Sequence, residues 1–166
     1  SDQLLSQAWD ILGDRPGTTW IFGAKNFADR LEEARRLIAE ALLKTPNYPK
    51  AHMYLGVYWQ FIGDYQKALK CHRKAIELDN TYSSAYNNLG KTYAQMGNRK
   101  AAIENYKLAL KHDKHFEYAR YNLGAALLDG GDARGAIGEL EKITQKLHCP
   151  AEVHFVLGCA YQIGGF

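Results

Sequence analysis

The dipeptide Leu-Gly returns in this chain at a fixed interval of 34 residues. It occurs at Leu55-Gly56, Leu89-Gly90, Leu123-Gly124 and Leu157-Gly158. A period of this length is typical of stacked supersecondary units that each contact only their neighbours, and not of a fold with one closed core. We therefore expect a solenoid, and this architecture argues against an enzyme.

Several other sets of similar residues recur at the same interval of 34 residues. They are Ala51, Ala85, Ala119 and Val153; Trp59, Tyr93, Leu127 and Tyr161; Gly63, Gly97, Gly131 and Gly165; Ala68, Ala102 and Ala136; and Ala75, Ala109 and Ile143. This combination of aromatic residues, Leu-Gly and small residues at fixed offsets resembles the tetratricopeptide repeat family. The resemblance covers residues 49–166 and, more weakly, residues 15–48. It implies an all-α fold, a right-handed superhelical solenoid of antiparallel helix hairpins.

Each period contains two apolar stretches of helical spacing, separated by Gly followed by Asp or Asn. Such a Gly suits a left-handed turn that ends one helix, and the Asp or Asn suits the cap of the next helix. The spacing predicts first helices at 50–62, 84–96, 118–129 and 151–164, and second helices at 65–79, 99–113 and 133–147.

Three glycines fall inside the predicted first helices, where Gly costs about 1 kcal/mol relative to Ala. These are Gly56, Gly90 and Gly124. We expect a close approach of the second helix to explain them. The small residues across that interface would be Ala68, Ala102 and Ala136.

The N-terminal part fits the period less well. Residues 3–12 predict an amphipathic helix closed by Gly13 and Pro16, and we interpret the repeat-like stretch at 9–13 as accidental because Pro16 would break a longer helix. Residues 18–27 and 29–44 predict the two helices of a degenerate unit.

One continuous repeat domain is therefore predicted. Its parts are 1–14 (a capping helix or the remnant of a preceding repeat), 15–48 (a degenerate repeat), 49–82, 83–116 and 117–150 (repeats), and 151–166 (a half repeat or C-terminal cap). The chain opens without Met and stops where a second helix should begin, so we expect a fragment of a longer protein.

Composition and charge narrow the class of protein. The chain is 46% hydrophobic and 23% charged with a net charge of +3, which is typical of globular proteins and only mildly basic. Its three Cys show no framework spacing, which favours a reducing compartment, and we expect a cytoplasmic location. No apolar stretch reaches the length of a membrane span, so no membrane insertion is expected.

In the family, the first helices line a concave groove, so the resemblance implies a surface that binds another protein or peptide. We call this side of a first helix its binding face. The predicted binding residues are Lys50, Tyr54, Val57, Phe61, Asn87, Asn88, Lys91, Tyr118, Tyr121, Asn122, Asp129 and Phe155.

Two kinds of side chain carry this prediction. Asn88 and Asn122 each precede the Leu of Leu-Gly, where family members often hold a peptide backbone, because an amide both donates and accepts hydrogen bonds. The aromatic residues would serve as anchors. The alternatives are that the Asn side chains are simply solvated or bond the next helix, and that the rings belong to the core between repeats.

The sequence gives little support for a carboxylate clamp, a cofactor site or a metal site. Chaperone-binding members of the family hold a C-terminal carboxylate with a clamp of Lys, Asn and Arg, and no register of this sequence supplies two cations for it. We expect no cofactor and no metal site, since the candidate ligands have no recognised spacing. Those ligands are His148, Cys149, His154 and Cys159.

Two alternative functions remain open. The face left by the half unit at 151–166 could pair with a second copy and form a homo-oligomer. A basic cluster on the predicted second helices could attract nucleic acid, although carboxylates intersperse it and a solvated outer face is favoured. The cluster contains Arg99, Lys100, Lys107, Lys111, Lys114 and Arg120, with Lys67, Lys70, Arg73 and Lys74 one unit earlier.

Overall fold

The computed structural model describes residues 1–13, 23–144 and 150–165, and it divides into two compact units, Ser1–Asn88 and Leu89–Phe166. Its helices are α1 (Asp2–Gly13), α2 (Gly23–Lys44), α3 (Pro49–Ile62), α4 (Tyr65–Leu78), α5 (Ser83–Gln95), α6 (Arg99–His112), α7 (Glu117–Asp129), α8 (Ala133–Thr144) and α9 (Ala151–Gly164). No strand occurs within these described ranges. The predicted all-α hairpin architecture is confirmed.

From α3 onward the helix boundaries agree with the prediction to within one residue wherever the chain is described. The helix predicted at 133–147 ends in residues 145–147, which lie outside the described residues. This agreement reflects the strength of the stop and start signals, because Gly and Asp or Asn mark each turn within a hairpin.

The turn between α3 and α4 shows how these signals act. Gly63 adopts a left-handed conformation with a φ of 82°, and its N–H donates to the carbonyl of Gln60 at 3.1 Å. Asp64 then caps α4, since its side chain accepts a hydrogen bond from the backbone N–H of Lys67 at 3.1 Å. The equivalent residues Gly97 and Asn98 repeat this arrangement before α6.

The N-terminal hairpin differs from the prediction. Helix α2 runs unbroken from Gly23 to Lys44, so the predicted break between 27 and 29 is wrong, while residues 18–22 lie outside the described residues. Helix α1 packs on α2. Ser1 Oγ lies 2.8 Å from Thr45 Oγ1, so the start of α1 meets the end of α2 and the two helices are antiparallel. Helices α1 and α2 therefore form an antiparallel pair, and Leu12-Gly13 lies at the end of α1 and not in its middle, unlike Leu55-Gly56 in α3.

The core of each unit consists of clusters of buried apolar residues. In the first unit, one cluster includes the fully buried residues Ala8, Ala34, Ile38, Ala51 and Ala75 of α1 to α4. In the second unit, one cluster joins α6 to α7 through Tyr106 and Leu123, and a further cluster joins α8 to α9, so both lie between successive hairpins. Burial of apolar surface contributes about 25 cal/mol per Å² to this packing.

The glycines inside the first helices accommodate bulky side chains of the second helices. A Cβ atom at Gly124 would lie 2.7 Å from Cγ of Leu140, and one at Gly90 would lie 2.7 Å from Cε1 of Tyr106. A Cβ atom at Gly56 would overlap the ring of His72.

The predicted close approach of the second helix is confirmed. The side chains nearest to the glycines are those of His72, Tyr106 and Leu140. Ala68, Ala102 and Ala136 of the same second helices are fully buried, and the carbonyl oxygen of Ala102 lies 3.1 Å from a Cβ atom at Gly90.

Candidate functional site

The predicted binding residues divide equally between the two compact units. The first unit holds Lys50, Tyr54, Val57, Phe61, Asn87 and Asn88, and the second holds Lys91, Tyr118, Tyr121, Asn122, Asp129 and Phe155. The two sets differ in how far the protein itself covers them.

In the first unit, the binding face of α3 is covered by α1. The rings of Trp9 and Tyr54 stack with centroids 4.9 Å apart, and Tyr54 keeps only 6% of its surface exposed. Burial raises the pKa of Tyr54. Val57 is 8% exposed, and Lys50 Nζ lies 5.8 Å from the Tyr54 ring centroid. These side chains stabilise the contact between α1 and α3 and leave little surface for a ligand.

The two asparagines of α5 are also buried within the first unit. Asn88 Nδ2 donates to the carbonyl oxygen of Ser84 at 2.9 Å and lies 3.4 Å from Sδ of Met53. Gln60 Nε2 donates to the Asn88 carbonyl oxygen at 3.5 Å. Asn87 is likewise buried. The amide protons of Asn88 therefore serve contacts inside the protein.

Phe61 is the one predicted aromatic residue of the first unit that is exposed, at 36% of its surface. Its ring packs edge-on against Phe27 with centroids 6.1 Å apart. Ile62 beside it is also exposed. This end of α3 therefore presents a small apolar surface, with one edge covered by α2.

In the second unit, the binding faces of α7 and α9 are much more open. Tyr118 is 74% exposed and Phe155 is 73% exposed, while Tyr121 and Asn122 are half-buried and Asp129 is exposed. Tyr118, Tyr121 and Asn122 share one side of α7 because they are three and four residues apart. The aromatic anchors predicted from the sequence are therefore accessible here.

A polar network fixes the beginning of α7, which carries Tyr118. Arg120 Nη1 donates to Glu139 Oε2 of α8 at 2.6 Å, and Arg120 Nη2 donates to the carbonyl oxygen of Lys114 at 2.5 Å. Burial alone would raise the pKa of Glu139, but hydrogen bonds and positive charge from Lys142 and Arg120 outweigh it and leave that pKa lowered. The exposed ring of Tyr118 thus projects from a well-anchored helix.

Lys91 lies on α5 in the second unit and keeps part of its side chain exposed. Burial of its ammonium group lowers its pKa.

Some basic residues on the second helices pair with carboxylates, and others are exposed. Lys67 pairs with Asp64 at 2.8 Å and lies 4.2 Å from the centroid of the Trp59 ring, and Lys74 pairs with Glu77 at 3.2 Å. Lys100, Lys107 and Lys111 of α6 are exposed. Lys67 and Lys74 of α4 are thus paired with carboxylates, and a nucleic-acid function stays a prediction.

Among the described residues, no group of three or more His, Cys, Asp or Glu side chains is arranged to hold a metal ion, and His148 and Cys149 lie outside them. None of the helices in these described ranges is long and apolar enough to cross a membrane. Burial raises the pKa of Cys71 to about 11, so its thiol is protonated at neutral pH.

Sequence comparison identifies repeats in the middle of the chain. A model described as TPR repeat matches residues 62–97, and a model described as Tetratricopeptide repeat matches residues 83–116. Superkiller protein 3 of Schizosaccharomyces pombe is 43% identical over 49 residues, which is 30% of this chain and 4% of that protein. The chain therefore matches only a small part of that relative.

Solved structures show the same helical architecture. A crystal structure of MamA superposes with a TM-score of 0.71 at 26% identity and covers 85% of this chain and 82% of that one. A structure of Naa15/Naa10 bound to HypK-THB gives a TM-score of 0.74 at 16% identity, over 99% of this chain and 23% of that one. The O-GlcNAc transferase of Thermobaculum terrenum gives 0.67 at 23% identity, over 84% of this chain and 24% of that one.

Proposed function

The chain belongs to the tetratricopeptide repeat family, and from that premise we propose that it binds a segment of another protein on the binding faces of α7 and α9. Repeats of this kind serve as protein–protein interaction scaffolds, and one similar solved structure is that of Naa15/Naa10 bound to HypK-THB. The function proposed is recognition, without a chemical step.

The exposure of Tyr118 and Phe155 is the observation that carries this proposal. Each ring leaves nearly three quarters of its surface in water, at 74% and 73%. An exposed aromatic side chain on a rigid helix contributes a large contact area to an interface with little loss of side-chain entropy. Neither ring is needed to fill the core of the second unit.

The polar residues Asn122 and Asp129 on α7 suit the edge of such an interface. Asn122 lies one turn after Tyr118, where its amide group can both donate to and accept from a peptide unit. Asp129 lies two turns farther along the helix and would favour a basic residue in the ligand. We therefore expect the bound segment to combine apolar side chains with at least one Lys or Arg.

The burial of Asn88 changes how the function should be tested. Replacing both Asn88 and Asn122 by Ala would disturb the contact of Asn88 with Ser84 as well as any ligand. A variant with Tyr118→Ala and Phe155→Ala removes accessible surface only, so a loss of binding is not confounded by a loss of stability.

The experiment begins with a photo-crosslinking amino acid at position 118, which identifies the bound protein and the segment it contributes. The affinity of that segment for the native chain and for the Tyr118→Ala, Phe155→Ala variant is then measured by calorimetry. We expect the variant to bind at least about tenfold more weakly, since anchor residues commonly cost 1–2 kcal/mol or more.

Leu43→Ala provides a matched control. Leu43 is 84% exposed on the second helix α2, so the control also removes an exposed apolar side chain, but away from the binding faces. Unchanged affinity in this control together with a loss in the double variant supports the proposal. Equal affinity in all three proteins would contradict it.

A further inference from the structure

A cleft in the second unit opens beside Asp129, at the far end of the binding face of α7. It lies where the end of α5 and the start of α6 meet the end of α7, and its volume is about 120 Å³. One water molecule needs roughly 15 Å³, so the end of a side chain can enter this space. We call it the charged cleft, and its lining residues are Ala94, Gly97, Arg99, Ala102, Ala126 and Asp129.

The charged cleft has an apolar floor and a charged rim. Ala102 and Ala126 are buried, whereas Arg99 and Asp129 are exposed. The side chain of Arg99 reaches the end of α7, since its Cδ atom lies 3.4 Å from a Cβ atom built at Gly130. One cation and one anion, which belong to different helices, therefore lie at the mouth of the same cleft.

Neither charge is paired with another residue in the described part of the chain. No ion pair and no side-chain hydrogen bond joins Arg99 or Asp129 to any residue of those ranges. By contrast, Arg120 of the same unit pairs with Glu139 at 2.6 Å. The two charges of the cleft are thus available to a ligand.

Each charge also lies at the helix end that disfavours it. Arg99 is the first residue of α6, and Asp129 is the last residue of α7. The dipole of a helix is positive at its N-terminus and negative at its C-terminus, so these two positions favour charges of the opposite sign. The other end of α6 follows this preference with Lys111 and His112. A ligand that brings a cation to Asp129 and an anion to Arg99 would compensate both charges.

We propose that the charged cleft selects a basic and a nearby acidic residue in the bound segment, with the basic side chain at Asp129 and the acidic side chain at Arg99. This inference rests on the proposed function and deepens it. Asp129 lies on the same side of α7 as Tyr118, about three turns and about 16 Å farther along the helix. The main effect is on specificity, because charge pairs near a surface add little to affinity.

A library of random peptides displayed on phage is the probe. Peptides are selected on the native chain, on Asp129→Asn, on Arg99→Gln, and on a double variant with Arg99→Asp and Asp129→Arg. The double variant exchanges the two charges and keeps the net charge, and it should fold because the exchanged charges suit the helix dipoles.

The selections have distinct expected results. The native chain should enrich peptides in which Lys or Arg lies close to Asp or Glu. Asp129→Asn should lose only the preference for the basic residue, and Arg99→Gln should lose only the preference for the acidic residue. The double variant should enrich the two charges in the opposite order along the peptide, since the aromatic anchors still fix the direction of the segment.

Affinities of the most enriched peptide give the size of the effect. Asp129→Asn and Arg99→Gln should each weaken its binding by about twofold to fivefold in fluorescence anisotropy. Glu104→Gln and Lys107→Gln are matched controls, because these exposed charges of α6 lie outside the cleft. Both controls should bind the peptide as the native chain does.

Three outcomes would overturn the inference. They are the absence of any enriched peptide, enriched peptides without a basic and an acidic residue close together, and equal losses of affinity in the cleft variants and in the controls. The variant with Tyr118→Ala and Phe155→Ala separates this failure from a failure of the proposed function. Peptides that bind this variant weakly but keep their affinity for Asp129→Asn and Arg99→Gln contradict the cleft alone. Peptides with the reverse behaviour contradict the aromatic anchors alone.

Discussion

Met53 on α3 and Phe155 on α9 occupy the same position in their repeats, yet Met53 is 4% exposed and Phe155 is 73% exposed. The same contrast holds one residue farther on, where Tyr54 is 6% exposed and its equivalent Val156 is half-buried. Position within a repeat therefore sets the side of the helix on which a residue lies, but it does not set whether that residue is accessible.

The difference follows from what covers each helix. On α3, Trp9 of α1 stacks on Tyr54, and Asn88 of α5 contacts Met53. These residues turn the binding face of α3 into part of the core of the first unit. The binding faces of α7 and α9 keep exposed aromatic residues. We infer that the first unit contributes stability and that the second unit contributes the surface for a partner.

Substitution of Gly124 on α7 and of Gly158 on α9 should give the largest difference in the free energy of unfolding. In Gly124→Ala, the new Cβ would meet Leu140, and overpacking of this kind costs about 1–3 kcal/mol. In Gly158→Ala the site is open, and the better helix propensity of Ala should stabilise by about 0.5–1 kcal/mol. Urea denaturation followed by circular dichroism measures both. Shifts of the same sign would show that α7 and α9 do not differ in this way.

Removal of the Trp9 side chain tests whether α1 covers α3. We expect Trp9→Ala to lower the free energy of unfolding by about 1–3 kcal/mol, less than for a fully buried ring because 41% of Trp9 is exposed. A double-mutant cycle with Tyr54→Ala should give a coupling energy of about 0.5–1.5 kcal/mol, since the two rings stack.

The control for this cycle pairs Trp9→Ala with Phe155→Ala. The two residues lie in different compact units, so their effects should be additive to within about 0.5 kcal/mol. A coupling energy near zero between Trp9 and Tyr54 would mean that the stack does not hold α1 on α3.

The sequence predicted the helices from α3 onward because their signals are local. A Gly with positive φ followed by a capping Asp or Asn determines where one helix ends and the next begins, whatever the neighbours do. The break between 27 and 29 was predicted wrongly because it relied on the period alone. Apolar residues with helical spacing continue through Phe27, Leu31 and Ala34, and this local pattern determined the single helix α2.

Accessibility could not be predicted in the same way, since it depends on residues distant in sequence. Nothing near Tyr54 indicates that Trp9 will lie on it, because the two are 45 residues apart and outside the regular period. The sequence predicted that the Asn88 amide binds a ligand, but in the structure this amide contacts Met53 and Ser84. The bulky column of His72, Tyr106 and Leu140 did carry a signal, since each residue follows its glycine by 16 positions.

The contact between α7 and α8 should respond to pH. The pKa of Glu139 is lowered from its ordinary value of 4.5, so its interactions with Arg120 and Lys142 stabilise the fold above that pH and are lost as the pH falls through the lower folded value. We expect Glu139→Gln to cost about 1 kcal/mol at pH 7 and progressively less below pH 4.5.

Denaturation of the native chain and of Glu139→Gln at a series of pH values measures this difference. Glu141→Gln is the neighbouring control, because Glu141 is exposed and accepts a hydrogen bond from Tyr161 at 2.5 Å without a cation. A gap between native chain and Glu139→Gln that stays constant from pH 7 to pH 3 would indicate loss of packing and not loss of charge.

Tyr118→Ala should have the smallest effect on stability and thereby gives the sharpest test of the contrast between α3 and α7. Because 74% of Tyr118 is already in water, its removal should change the free energy of unfolding by less than about 0.5 kcal/mol. Tyr54→Ala removes a similar ring that is 6% exposed and should cost about 3 kcal/mol or more. If the two substitutions destabilise the chain equally, Tyr118 takes part in the core and cannot act as an anchor for a partner. If only Tyr54→Ala destabilises it, the same residue type has a structural role on α3 and is left available for binding on α7.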